Sequence, residues 1–233
     1  MNRGGGRGTG SKLARSVYER LRADIFEFRL LPGEGFSENE IASRARVSRT
    51  PVREALFRLE RDGYLEVYPK RGWRVRALDF DALDQLYDVR VILESEAVRK
   101  LCTGDAREKL AALAKVWLVE PRKRVTDGAR VARLDEEFHA TLVAAAGNAE
   151  MARIHREITE RIRIVRRLDF THLERILFTY REHAAILRAI VSRRTARASA
   201  LLRAHIETSK AEVRKITVRR LQLAHLDAKA GAR

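Results

Sequence analysis

The chain has 233 residues, 34% of them charged, with 48 Lys plus Arg against 32 Asp plus Glu and a formal net charge of +16. Such a field attracts polyanions, although arginines on long helices also serve as plain solvated surface. The single cysteine, Cys102, excludes an intramolecular disulfide and a zinc cluster built on paired thiolates. No apolar run approaches the roughly 20 residues that span a bilayer, and the N-terminus lacks the apolar centre of a signal peptide. The expectation is a cytoplasmic protein without membrane contact.

Residues 1–10, MNRGGGRGTG, have no side chains able to offset the entropy of ordering a backbone and are expected to form a flexible arm. From Ser11 to Phe28, the apolar residues Leu13, Val17, Leu21, Ile25 and Phe28 recur at helical spacing, and Leu31-Pro32-Gly33 enforces a turn. Ser37 and Glu40 have the spacing of a capping box and open a second helix over 38–44. Val47 and Ser48 mark a turn into a third helix, with Ser48 as its N-cap and Pro51 in its first turn. Gly63 closes that helix. Tyr64 to Tyr68 alternates as a strand, Pro69 to Gly72 turns it back, and Trp73 to Arg76 returns. Helices, tight turn and basic hairpin in this contiguous order specify a winged helix-turn-helix over 11–76, with double-stranded DNA as partner.

A recognition helix enters the major groove by its N-terminal end, where Arg49, Thr50 and Arg53 lie. Arginine can donate two hydrogen bonds to guanine, and threonine can meet a thymine methyl or a phosphate. Lys70 and Arg71 at the hairpin tip are expected on backbone or minor groove, with Gly72 allowing close approach. The competing reading treats these cations as the ordinary surface of a protein-contact module.

After a linker at 77–80, amphipathic helices are expected at 80–102, 105–119, 127–146, 149–169, 172–192 and 194–223. The fold class is therefore mainly α: a winged helix-turn-helix with a two-stranded wing, then an all-α helical-bundle ligand domain over 81–223, and a frayed tail at 224–233. On the helix from 127 to 146, Val131, Leu134, Phe138, Leu142 and Ala145 form the buried stripe, with Asp135 and His139 four apart at its edge. His183 sits among Ile176, Tyr180, Leu187 and Ile190, and His205 among Leu201, Leu202 and Ile206. Burying one carboxylate and three imidazoles is costly unless they satisfy one another or share a cation. The set suits a divalent transition metal ion such as zinc, nickel or manganese. It also suits three hydrogen-bonded core histidines and a local salt-bridge partner, and spacing, in which only the Asp135–His139 pair is local, favours that second reading. Arg90, with Glu94 one turn on, is either a clamp for an effector carboxylate or half of an intrahelical ion pair.

The runs VSRTPVREAL, LERDGYL and PKRGWRV resemble the N-terminal domain of the GntR family of bacterial transcription regulators. YDVRVILESEAV, LDEEFHATLVAAAGN, EHAAILRAI and LLRAHI are similar in order and spacing to the helical ligand domain (FCD type) of its FadR-like subfamily. The first resemblance implies DNA contacts at Arg49, Thr50, Arg53, Lys70, Arg71 and Gly72. Near the start of helix two, where some members present an arginine, this chain has Asn39, which can still bond a phosphate, more weakly. The second implies a metal ion held by Asp135, His139, His183 and His205 and reachable by a small carboxylate effector. His155, His172 and His225 have no counterpart and are read as surface or helix-end residues, and the basic segment Pro121 to Arg124 departs from the family pattern.

Together the resemblances imply a homodimeric, ligand-responsive regulator and not an enzyme: a repressor that binds a pseudo-palindromic operator and is released by an organic acid. Two alternatives stand beside it. One is a regulator whose helical domain is a metal-free dimerisation unit. The other is a metal-dependent enzyme tethered to DNA, for which the chain offers no additional general base, nucleophile elbow or phosphate-binding glycine loop.

Overall fold

A computed structural model describes residues 6–69, 72–166, 169–170 and 172–230, and the chain divides into two compact units whose sequence boundaries fall at Asp79/Phe80 and Thr217/Val218. The first unit contains α1 (Gly6–Phe26), β1 (Gly35–Phe36), α2 (Glu38–Ala45), α3 (Arg49–Arg61), β2 (Leu65–Tyr68) and β3 (Gly72–Val75). Helices α1 and α2 both pack on α3. The apolar stripes supply the core: Val17, Leu21 and Ile25 of α1 are buried, as are Val52, Ala55, Leu56 and Leu59 of α3.

Local chemistry explains the helix-turn-helix. The Glu40 N–H donates to Ser37 Oγ at 3.2 Å and the Ser37 N–H to Glu40 Oε2 at 2.6 Å, a complete capping box for α2. Arg46 then adopts a left-handed backbone at φ 55°, and the Val47 N–H returns to the Ala42 carbonyl at 3.1 Å, which closes the turn. Ser48 occupies the N-cap position of α3, but its side chain makes no capping bond. The N-cap position is as expected, but Pro51 at the third helical position removes one of the two N–H groups that a capping serine can serve.

The sheet has order β1-β3-β2 and is antiparallel throughout, with Leu65 opposite Val75 and Tyr68 opposite Gly72. The expected two-stranded wing thus gains a third strand, pairing Gly35 with Arg74 and Phe36 with Trp73. Two residues are too few to display an alternating pattern. Gly72 has φ +97°, and a Cβ there would lie 2.7 Å from the Phe36 carbonyl oxygen, so β1 itself demands glycine at that point. Lys70 and Arg71 lie outside the described residues.

The second unit contains α4 (Phe80–Thr103), α5 (Ala111–Trp117), a 3-10 turn (Pro121–Lys123), α6 (Gly128–Ala145), α7 (Ala149–Arg166), α8 (Leu173–Val191) and the part of α9 (Thr195–Ala230) up to Thr217. Helix α4 packs against α6, α7 and α8, α6 against α7 and α8, and α5 against α6 and α8. The apolar core between them includes Trp117, Phe138, Leu142, Ile162, Ile186, Leu187 and Ile190. Helix α5 begins at Ala111 and not at 105, because the Asp105 carboxylate accepts the Arg107 N–H at 3.2 Å and holds a turn there. Helix α7 runs to Arg166 among the described residues, and Asp169 and Phe170 beyond it are buried.

Both chain ends are more helical than composition suggests. Helix α1 takes in residues 6–10 of the expected flexible arm, and α9 takes in residues 224–230 of the expected frayed tail. Extending an existing helix fixes one residue for one further hydrogen bond, so propagation tolerates sequences that could not nucleate. No described helix is long and apolar enough to cross a membrane.

Candidate metal centre and nucleic-acid interface

Four side chains from three helices of the second unit converge. Asp135 and His139, one turn apart on α6, meet His183 of α8 and His205 of α9, all four buried, with one ligand-type atom from each lying within 4.8 Å of the others. His205 Nε2 lies 3.2 Å from both His139 Nε2 and His183 Nε2. Asp135 Oδ1 stands 3.7, 3.3 and 3.9 Å from Nε2 of His139, His183 and His205. Phe138 stacks on the His183 ring, with centroids 3.6 Å apart and 6° between planes, while Trp117 meets it edge-on.

A second layer orients these rings. His139 Nδ1 donates to Glu94 Oε2 at 2.5 Å, and His205 Nδ1 donates to Glu182 Oε2 at 2.9 Å. An ionised carboxylate only accepts, so both protons sit on Nδ1, and in the neutral rings both Nε2 atoms carry lone pairs at the centre. Lone pairs facing each other repel unless a cation lies between them. The donor set therefore fits a divalent transition ion, which takes imidazole nitrogen and carboxylate oxygen together. Arg166 pairs with Asp135 through Oδ2, and Arg175 donates to Glu182 at 2.8 Å.

Electrostatics keep the Glu94 and Asp135 carboxyls charged and the His183 and His205 rings neutral. Burial alone would raise the Glu94 and Asp135 carboxyls. Arg90 with His139 and His155 outweighs it at Glu94, and Arg166 with His139 and His183 at Asp135, so both stay well below the usual range. Burial pushes the His183 and His205 imidazoles down, against the opposing pull of Asp135 and Glu182.

Arg90 forms the intrahelical pair, with Nε donating to Glu94 Oε1 at 2.6 Å, and both groups are fully enclosed. His155, read as a surface or helix-end residue, is buried, and its Nε2 meets Glu94 Oε1 at 2.9 Å. It shares an inward stripe of α7 with Ile158, Ile162 and Val165. That spacing was a readable signal for its burial. Glu94 likewise lies on the stripe Tyr87, Val91, Val98 and Leu101 of α4, which marks it as a carboxylate destined for the interior. His172 is exposed at the start of α8, and the His225 side chain lies outside the described residues.

In the first unit, Arg49, Thr50 and Arg53 are exposed together at the N-terminal end of α3, and Asn39 is exposed in the first turn of α2. Arg53 is not free: its Nη2 donates to Glu38 Oε2 at 2.9 Å and its Nε to Oε1 at 3.1 Å. This pairing joins the recognition helix to the start of α2.

The family model described as "Bacterial regulatory proteins, gntR family" matches residues 13–75, and that of the FCD domain matches residues 85–208. The Nta operon transcriptional regulator of Aminobacter aminovorans is 34% identical over 176 residues, covering 76% of this chain and 82% of that protein. The HTH-type transcriptional repressor RspR of Escherichia coli is 25% identical over 204 residues, covering 86% of this chain and 88% of its own. A crystal structure of a GntR regulator from Rhodococcus sp. RHA1 superposes with a TM-score of 0.61 at 25% identity, covering 86% of this chain and 96% of that one. These relatives are regulators, not enzymes. A winged helix-turn-helix followed by a helical FCD ligand-binding domain places this chain in the GntR family of bacterial DNA-binding transcription regulators.

Proposed function

We propose that the chain is a repressor that binds a pseudo-palindromic operator as a homodimer and is released by a small carboxylate bound at a metal ion. The observation that carries this reading is the convergence of three imidazole Nε2 atoms and Asp135 Oδ1, buried and backed by Glu94 and Glu182. Asp135, His139, His183 and His205 would hold the ion. Zinc, nickel or manganese, when bound there, would supply a Lewis-acidic site for a carboxylate oxygen. Arg90 would face the effector beside it.

Arg49, Thr50 and Arg53 would read bases, Asn39 would bond a phosphate, and Lys70, Arg71 and Gly72 would grip the backbone. Residues 11–76 then serve as the DNA-reading domain, 77–80 as linker and 81–223 as the effector and dimerisation domain, in the cytoplasm where the operator lies. Two half-sites about one DNA turn apart require two recognition helices, which supports a homodimer. The repressor name of the E. coli relative supports release over activation. The effector shifts the operator-binding state only by its differential affinity for the two arrangements.

The test pairs elemental analysis of the dialysed protein with operator binding. A bound divalent ion, its loss in a His183→Ala, His205→Ala double variant, and acid-dependent operator release by metal-loaded protein alone are expected. Metal retained by the double variant would refute the ligand set, and release by acid without metal would refute the coupling.

A further inference from the structure

Tyr87 and Arg90 on α4 and Arg166 at the end of α7 are all buried. Yet the Tyr87 hydroxyl, both Nη atoms of Arg90 and Nη1 of Arg166 have no hydrogen-bond partner among the described residues. Arg90 is anchored by Nε to Glu94 and Arg166 by Nη2 to Asp135. The groups are neighbours: the Arg90 guanidinium carbon lies 5.8 Å from the centre of the Tyr87 ring. The Tyr87 hydroxyl feels the charges of Arg166 and Arg90 and, opposing them, of Asp169, which is itself bound to Arg175 and Ser209, and Asp135. Buried donors left unmade carry their whole desolvation penalty, so such a cluster calls for an occupant. The guanidinium nitrogens can only donate, and the hydroxyl can. Their natural complement is an acceptor-only, planar group, a carboxylate.

The array borders the centre through two of its own contacts, since Asp135 belongs to the ligand set and Glu94 orients His139. A monocarboxylate held at the metal would spend its oxygens there and leave these donors unserved. A second carboxylate on the same molecule would serve them. Resting on the metal-and-carboxylate reading above, we infer that Tyr87, Arg90 and Arg166 form a second anion subsite and that the effector is a dicarboxylate. One end meets the Asp135, His139, His183 and His205 set, and the other meets two guanidinium groups and the tyrosine hydroxyl.

Calorimetric titration of the zinc-loaded protein with malonate, succinate and glutarate, against propionate, butyrate and valerate, tests this. The same titrations on Tyr87→Phe remove only an unpartnered hydroxyl. At least one dicarboxylate is expected to bind about tenfold or more tighter than its matched monocarboxylate, and Tyr87→Phe is expected to shrink that ratio severalfold. Equal binding of both series, or an unchanged ratio in Tyr87→Phe, overturns the subsite and leaves the metal-and-carboxylate reading standing, with buried water serving the donors. Failure to take up zinc, or to bind any acid once loaded, overturns that reading and the dicarboxylate assignment with it.

Discussion

His139 and His205 point their Nε2 atoms at each other across 3.2 Å, while the Nδ1 of each is given to a carboxylate, Glu94 behind one and Glu182 behind the other. The carboxylates decide which nitrogen keeps the proton, and so which nitrogen is left to bind a metal. Glu94→Gln removes the charge that fixes His139 and that faces Arg90 and His155. Metal affinity is expected to fall by about 10- to 100-fold, read by competition with a calibrated chelator. An unchanged affinity would show that Glu94 does not orient the ligand.

Acid should destabilise the metal-stripped protein well above the carboxylate range. Burial holds His155, His183 and His205 below their ordinary value of 6.5. Their depressed values mean that the unfolded chain binds more protons than the folded one below that pH, so stability is full above it and drops as pH falls through it. Glu94 and Asp135, also depressed, lose their contribution as pH falls below 4.5 and 3.8 and add to the same trend. Thermal melts should show Tm falling from about pH 7 to about pH 5, and a flat profile there would count against neutral buried rings.

Arg53→Ala and Arg49→Ala should each weaken binding to a selected operator by about 1–3 kcal/mol and relax preference at one base pair, the loss of a bidentate base contact. Anisotropy titrations at fixed moderate salt measure this. Arg53 must exchange Glu38 for DNA, so its net contribution should be the smaller of the two. Equal weakening on operator and random duplex would recast both as phosphate contacts.

Phe138→Ala should cost about 3–5 kcal/mol in denaturant unfolding, because the ring is fully enclosed and its loss opens a cavity against Trp117 and His183. Metal affinity should fall with it, since the stack at 3.6 Å sets the plane of His183. Lost stability with intact metal binding would separate the core from the centre.

Much of the fold was readable from local pattern. The capping box at Ser37 and Glu40, the pairing of β2 with β3 and the stripe of α3 all depend on residues close in sequence and are present, as are the stripes of α1, apart from exposed Leu13, and of α6, where Leu134 and Ala145 are only half-buried. What local pattern missed was short or set from afar: the two-residue strand β1, and the capping bond that Ser48 does not make at its N-cap position, which proline chemistry explains only once the helix register is known.

The centre divides along the same line. Sequence alone brought Asp135 and His139 to one face of one helix, because four residues make about one helical turn. It also set His183 and His205 on apolar stripes and left open whether the four ever meet. Packing decided that they do, and it added Glu94, 45 residues from His139, Glu182, 23 residues from His205, and Arg166, 31 residues from Asp135. A polar residue on an apolar stripe must find a partner when buried, but periodicity names only the face. The neighbour across the helix interface is set by the tertiary fold, and here it turned His155 from an expected surface residue into a buried partner of Glu94.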